Sequence, residues 1–243
     1  MKVIFSQRFY EVYSHEPAAE PGRMEAIVRE LKGYEFLEPE PAEEKDVLLV
    51  HTKRHFEDVR RERRVFELAM LAVGGAIMAS EIAFREPAFA LIRPPGHHAS
   101  PDSAWGFCYF NNIAIAVKKL LVEGKISRAV IVDFDLHYGD GTANAFKDEP
   151  RVNYHHMSGR SIEGIARFLE KHDYDIIAVS AGFDRHVDDW GGLLETGDYR
   201  EIGRILKEFA EEKCERRRFA VLEGGYNHEV LGKNVKAFLE GFD

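Results

Sequence analysis

Apolar positions along this chain fall into two patterns, short β-branched runs and longer stretches at helical spacing. Runs at residues 3–5, 89–92, 129–132, 176–179 and 219–222 are too short for helices and predict buried strands. Residues 65–84 include Phe66, Leu68, Ala69, Leu71, Ala72, Ala76 and Ile77, which predicts a nearly all-apolar, buried helix. Residues 112–121 (NIAIAVKKLL) predict a second helix, with Gly124 placed to stop it. Residues 161–171 and 199–214 read as amphipathic helices with charged outer faces. Strands alternating with helices imply βαβ units and an α/β fold with a mostly parallel sheet. No Pro-, Gly- or Ser-rich linker divides the chain, and residues 38–44 (EPEPAEE) read as a surface loop. One domain over residues 1–243 is the expectation.

Composition narrows the function classes. The 243 residues and 45% hydrophobic content suit a packed globular core. A formal net charge of -9 argues against a broad nucleic-acid surface, which needs clustered Lys and Arg. An acidic surface instead favours cationic small molecules or basic peptides, weakly, through long-range steering. The basic runs at residues 60–64 and 216–218 read as solvated helix faces or helix C-termini. Two cysteines, Cys108 and Cys214, form neither a metal-type spacing nor a disulfide framework. The first residues are too short for a signal-peptide core, and no apolar run reaches membrane-spanning length. The expectation is a cytoplasmic protein with no membrane partner.

Four apolar runs lead into polar, chemistry-bearing segments: RPPGHHA (93–99), DFDLHYGD (133–140), SAGFD (180–184) and EGGYN (223–227). In a parallel α/β sheet the C-terminal strand ends converge on one edge, where ligands bind. Asp133, Asp135 and His137 are spaced i, i+2, i+4, so on an extended strand they share a face. Carboxylate and imidazole together suit a divalent metal such as zinc. A polar loop with Asp135 capping the next helix would leave the same pattern. Asp184 is a candidate third ligand, leaving a position open as catalytic sites do, or else a helix N-cap. His97 and His98 suit acid–base work or metal ligation, and Asp133 and Asp140 are candidate orienting carboxylates. Gly224 and Gly225 allow a sharp turn that presents Tyr226, whose hydroxyl suits a developing oxyanion; a core tyrosine is the plainer alternative. Residues 106–110 (GFCYF) suggest an apolar slot or simply core, with Cys108 buried and inert.

Together these segments resemble the histone deacetylase family, including prokaryotic acetylpolyamine amidohydrolases and acetoin-utilisation-type proteins. The matching residues run in family order: His15-Glu16-Pro17 with Arg23, Val50-His51-Thr52, RPPGHHA, GFCYFNN, DFDLHYGDGT, SAGFD and EGGYN. The resemblance implies the single-domain arginase–deacetylase fold and one Zn2+ per chain, held by Asp135, His137 and Asp184. It implies catalytic roles for His97 with Asp133, His98 with Asp140, and Tyr226. Phe107 would line an acyl-lysine channel, Gly106 would offer a carbonyl to the substrate amide, Gly225 would contact the substrate, and Arg23 would lie near the floor where acetate leaves. A structural monovalent cation near Asp133 to His137 is implied as well. The implied substrate is an acetylated small amine or a protein's acetyl-lysine, and the alternative is a binder of acetylated amines without turnover.

The chain departs from the pattern in two places. Tyr138 follows His137 where a second histidine is usual. Residues 157–179 are too few for the long loop that normally builds a second aromatic wall, and residues 60–64 are too few for an acidic substrate clamp. An intact floor under a shallow, open mouth is therefore expected. Against a two-metal arginase-type site, Asp184 is followed by Arg185 and His186, which leaves a second metal without a carboxylate.

Overall fold

The computed structural model describes residues 1–243. Its strands are β1 (Lys2–Ile4), β2 (Glu35–Leu37), β3 (Ala88–Ala90), β4 (Ala129–Asp133), β5 (Val152–His156), β6 (Ile177–Ala181) and β7 (Arg218–Leu222). They form one parallel sheet in the order β2-β1-β3-β7-β6-β4-β5. All five apolar runs are strands here, because strands covered on both faces are apolar throughout. The two that the pattern did not disclose, β2 and β5, are the edges. β2 is largely exposed and β5 reads VNYHH, so neither carries a continuous apolar run.

Nine helices flank the sheet: α1 (Arg23–Glu30), α2 (Glu44–Val47), α3 (Lys53–Arg60), α4 (Arg63–Ile82), α5 (Asn112–Val122), α6 (Asp140–Phe146), α7 (Ile162–Lys171), α8 (Thr196–Lys213) and α9 (His228–Phe242). By packing they fall into two groups, one around α4 and α5 and one of α1, α7, α8 and α9. The four helices expected from periodicity are all present. Gly124 takes a left-handed φ of 68° just beyond α5, as a helix-stopping glycine should. One expectation fails: α4 is long and apolar enough to cross a bilayer. It serves instead as a core helix, with thirteen of its 20 residues buried and its packing against β1, β3, β7 and α5.

The order of the sheet places the chemistry. β3, β7, β6 and β4 are successive neighbours, and each leads from its C-terminal end into one of the four polar segments. Adjacent strands lie about 4.8 Å apart, so the segments meet across roughly 15 Å of one sheet edge.

Candidate active site

Asp135 and His137 lie just beyond β4, and Asp184 just beyond β6. Their ligand atoms lie within 4.8 Å of one another. His137 Nδ1 is 3.3 Å from Asp135 Oδ1 and 3.1 Å from Asp184 Oδ2. Backbone amides hold the carboxylates: Asp135 accepts from His137 N at 2.9 Å and Gly224 N at 2.8 Å, and Asp184 Oδ1 accepts from Leu136 N at 3.0 Å. Asp184 Oδ2 is buried and, although His137 Nδ1 lies 3.1 Å away, it meets no donor at hydrogen-bonding geometry. Burial pushes the Asp184 carboxyl up to about 6, and the neighbouring Asp135 charge adds to the rise. An orphaned buried oxygen beside a second carboxylate and an imidazole is a donor set short of a cation, so these residues fit a zinc-type ion. Two glycines make the cradle possible. A Cβ at Gly182 would stand 2.1 Å from Asp135 Oδ2, and one at Gly224 2.6 Å from the same atom.

The tandem histidines leave β3 and divide between two carboxylates. His97 Nδ1 lies 3.1 Å from Asp133 Oδ2, which also accepts from the Tyr154 hydroxyl at 2.9 Å. His98 Nδ1 lies 2.7 Å from Asp140 Oδ1. Burial opposes charge on His97, yet Asp135 and Asp133 outweigh it and hold the imidazole well above its usual range. His98 moves the other way, lowered by burial and then by His97. The two imidazoles are thus shifted in opposite directions, their ring centroids 4.1 Å apart. Glu223, at the end of β7, supports the turn: its Oε2 accepts from Gly96 N at 2.7 Å and His97 N at 3.2 Å.

A cleft of about 110 Å³ opens over these groups, with Phe107, Tyr226, Trp105 and Trp190 in its lining. The second aromatic wall, expected to be missing because residues 157–179 are too few for its loop, is supplied from elsewhere. Trp190, on the connection after β6, stacks on Tyr226 at 4.1 Å and meets His137 edge-on at 6.1 Å. Trp105 lies on His98 at 3.9 Å and donates its indole N–H to Asp140 Oδ2 at 2.9 Å. Phe107 adopts a left-handed φ of 69°, a strained conformation for a bulky residue of the kind that collects at functional sites. Gly106 beside it has no room for a side chain, since a Cβ would stand 2.5 Å from His98 Cδ2.

Gly106, Phe107, His97, His98, His137 and Tyr226 all line the cleft. Arg23 and Gly225 do not. Arg23 is fully buried behind Tyr226, with its guanidinium carbon 5.4 Å from the ring centre. It donates to Gly225 O at 2.8 Å and Glu223 O at 2.6 Å, and so holds the turn that presents Tyr226. The sequence motifs passed over Trp105, Trp190, Glu223 and Tyr154 as site components. Only Glu223 carried a signal, as an acidic residue closing an apolar run at the same sheet edge.

The chain matches the family model described as the histone deacetylase domain over residues 17–162 and 160–242. A probable deacetylase of Methanothermobacter thermautotrophicus is 32% identical over 305 aligned positions, covering 99% of this chain and 90% of that protein. A probable deacetylase of Archaeoglobus fulgidus is 35% identical, covering 86% of this chain and 75% of its own. Among solved structures, the crystal structure of the HDA15 HD domain superposes with a TM-score of 0.88 over 100% of this chain and 90% of that one, at 21% identity.

Proposed function

The chain belongs to the histone deacetylase family and has its single-domain arginase–deacetylase fold; from that premise we propose a zinc-dependent amidohydrolase that removes acetyl or other short acyl groups from N-acylated amines. One observation carries the reading. His98, paired with Asp140, and His137, of the Asp135, His137 and Asp184 cluster, line one cleft with their rings 6.1 Å apart.

Asp135, His137 and Asp184 would hold the ion, whose chemistry when bound is Lewis acidity and a usable water nucleophile near neutral pH. His98 is the proposed general base. Its Nδ1–H is directed to Asp140, so Nε2 is free to take a proton from water and later pass it to the leaving amine. Its lowered proton affinity keeps it neutral and ready for that first transfer. His97, tied to Asp133, would chiefly give electrostatic support beside the developing oxyanion. The Tyr226 hydroxyl, held protonated by burial, would donate to that oxyanion. Cleavage of the amide C–N bond then yields the free amine and a carboxylate. Phe107, Trp105 and Trp190 exclude water around a narrow acyl chain, and no acidic side chain lines the cleft. Acetylated polyamines and acetyl-lysine peptides are the proposed substrate classes.

The test is acetate release by the zinc-loaded protein from both classes, with Tyr226→Phe alongside. Loss of one oxyanion donor is expected to lower kcat by about 100- to 1,000-fold. No release from either class by the loaded protein would favour a binder of acetylated amines.

A further inference from the structure

Behind the loop that carries Asp135 and His137 stands a buried guanidinium. Arg185 directly follows Asp184 and is only 2% exposed. None of its hydrogen bonds goes to a carboxylate. Nε donates to Phe134 O at 2.9 Å and to Asp135 O at 3.0 Å. One terminal nitrogen donates to Asp135 O at 2.8 Å and to Met157 O, and the other to Gly159 O at 2.8 Å. The His156 ring completes the enclosure, its Nε2 3.2 Å from Arg185 and 2.9 Å from Asp135 O. The carbonyls leaving β4 and those following β5 thus converge on a single cation that is part of the chain.

Convergent backbone carbonyls are the environment in which a monovalent ion exchanges its hydration shell for protein oxygens. A structural monovalent cation was expected near Asp133 to His137, and in this chain the Asp135 carbonyl is already occupied by Arg185. The residues do not fit the expected ion. The electrostatic need is nonetheless plain, because Asp133, Asp135, Asp184 and Glu223 are all buried at this sheet edge. A guanidinium can meet it, since its planar fork of five donors serves several carbonyls at once.

We propose that Arg185 is a tethered substitute for a bound monovalent cation. It fixes the loop that carries Asp135 and His137 and frees folding and metal binding from dependence on potassium or sodium. A dissociable ion stabilises the fold in proportion to its concentration, whereas a tethered one stabilises it in any salt. The metal-affinity readout rests on the ligand set proposed above. The thermal-stability readout does not, and neither requires turnover, so a failed deacetylase assay leaves this test intact.

The protein and its variants would be compared in potassium chloride, sodium chloride and tetramethylammonium chloride at equal ionic strength. Melting temperature would be read with and without zinc, and zinc affinity by competition with a chromophoric chelator. The unmodified protein is expected to show the same melting temperature and zinc affinity, within about twofold, in all three salts. Arg185→Met, nearly equal in length but uncharged, is expected to lose about 10- to 100-fold in zinc affinity and to regain part of it in potassium chloride alone. Arg185→Lys, which keeps the charge, is expected to lose less and to ignore the choice of salt. A potassium requirement in the unmodified protein would overturn the proposal. So would equal losses in the Met and Lys variants that no alkali ion restores. Should the Met variant not fold, the unmodified protein and Arg185→Lys still decide the matter, because strong salt specificity in either contradicts a built-in cation.

Discussion

His51 is committed to one charge state by its two neighbours. Its Nδ1 faces the Ser100 carbonyl at 3.0 Å and must donate, while Nε2 accepts from the Asn111 amide at 2.9 Å. A second proton would point at an N–H group. Burial, with His55 close by, accordingly pushes the imidazole down to about 3. In the unfolded chain the same ring titrates near 6.5. The contribution to stability is therefore full above that pH and is lost progressively as pH falls toward the folded-state value, by about 1.4 kcal/mol per unit. Urea unfolding of the unmodified protein and of His51→Gln at pH 7 and pH 5 should show the steeper loss in the unmodified protein; parallel losses would mean that His51 gains its proton inside the fold. Trp105 calls for a different experiment. Its indole N–H fixes the Asp140 oxygen that His98 leaves free, so Trp105→Phe keeps the ring face but drops that bond. About a tenfold fall in kcat with little change in KM is expected; a change in KM alone would make the residue only a wall. At this scale, His97, His98 and the D-x-D-x-H run were legible because alternation and adjacency are local properties. Trp105 and Trp190 were not, and Glu223 was so only as an acid closing an apolar run, because their roles depend on partners 35, 36 and 127 residues away.

Elements were legible in proportion to how evenly they are buried. The central strands, covered on both faces, announce themselves as unbroken apolar runs, whereas the edges β2 and β5 carry mixed residues and stay silent. Helix α4 was legible as a helix but not in its closest contact. Ala42 N donates to Met70 O at 2.9 Å, which draws the loop at residues 38–44 across the helix at Gly74. A Cβ there would stand 1.8 Å from Glu40 O, so the glycine is required by the crossing backbone. Alanine is the better helix former by about 1 kcal/mol, but the displaced backbone is expected to outweigh that gain. Gly74→Ala should therefore destabilise the protein by roughly 2 kcal/mol or more. Gly197→Ala, in α8 with nothing within 4 Å of the added carbon, should be neutral or stabilise by up to about 1 kcal/mol. Equal behaviour of the two variants in denaturant titrations would show that the loop does not press on α4.

For the molecule as a whole, a cationic substrate of the proposed kind would be chosen without an acidic clamp. No carboxylate lines the cleft, whose mouth is instead flanked by Trp105 and Trp190, 56% and 52% exposed. Selection by a short-range ion pair is therefore not built into these walls. What remains is the net charge of -9, which acts over distance on the approach of a cation and leaves the bound complex almost untouched. Such steering decays with the Debye length, about 10 Å at 0.1 M salt and 3 Å at 1 M. The kcat/KM for an acetylated polyamine should therefore fall severalfold between about 20 mM and 500 mM ionic strength, while kcat holds steady. A neutral N-acyl amine of similar length should show no such fall. A matching decline for the neutral substrate would trace the effect to the protein's own stability. Loss of kcat for the cation alone would instead reveal a carboxylate that closes on the bound amine.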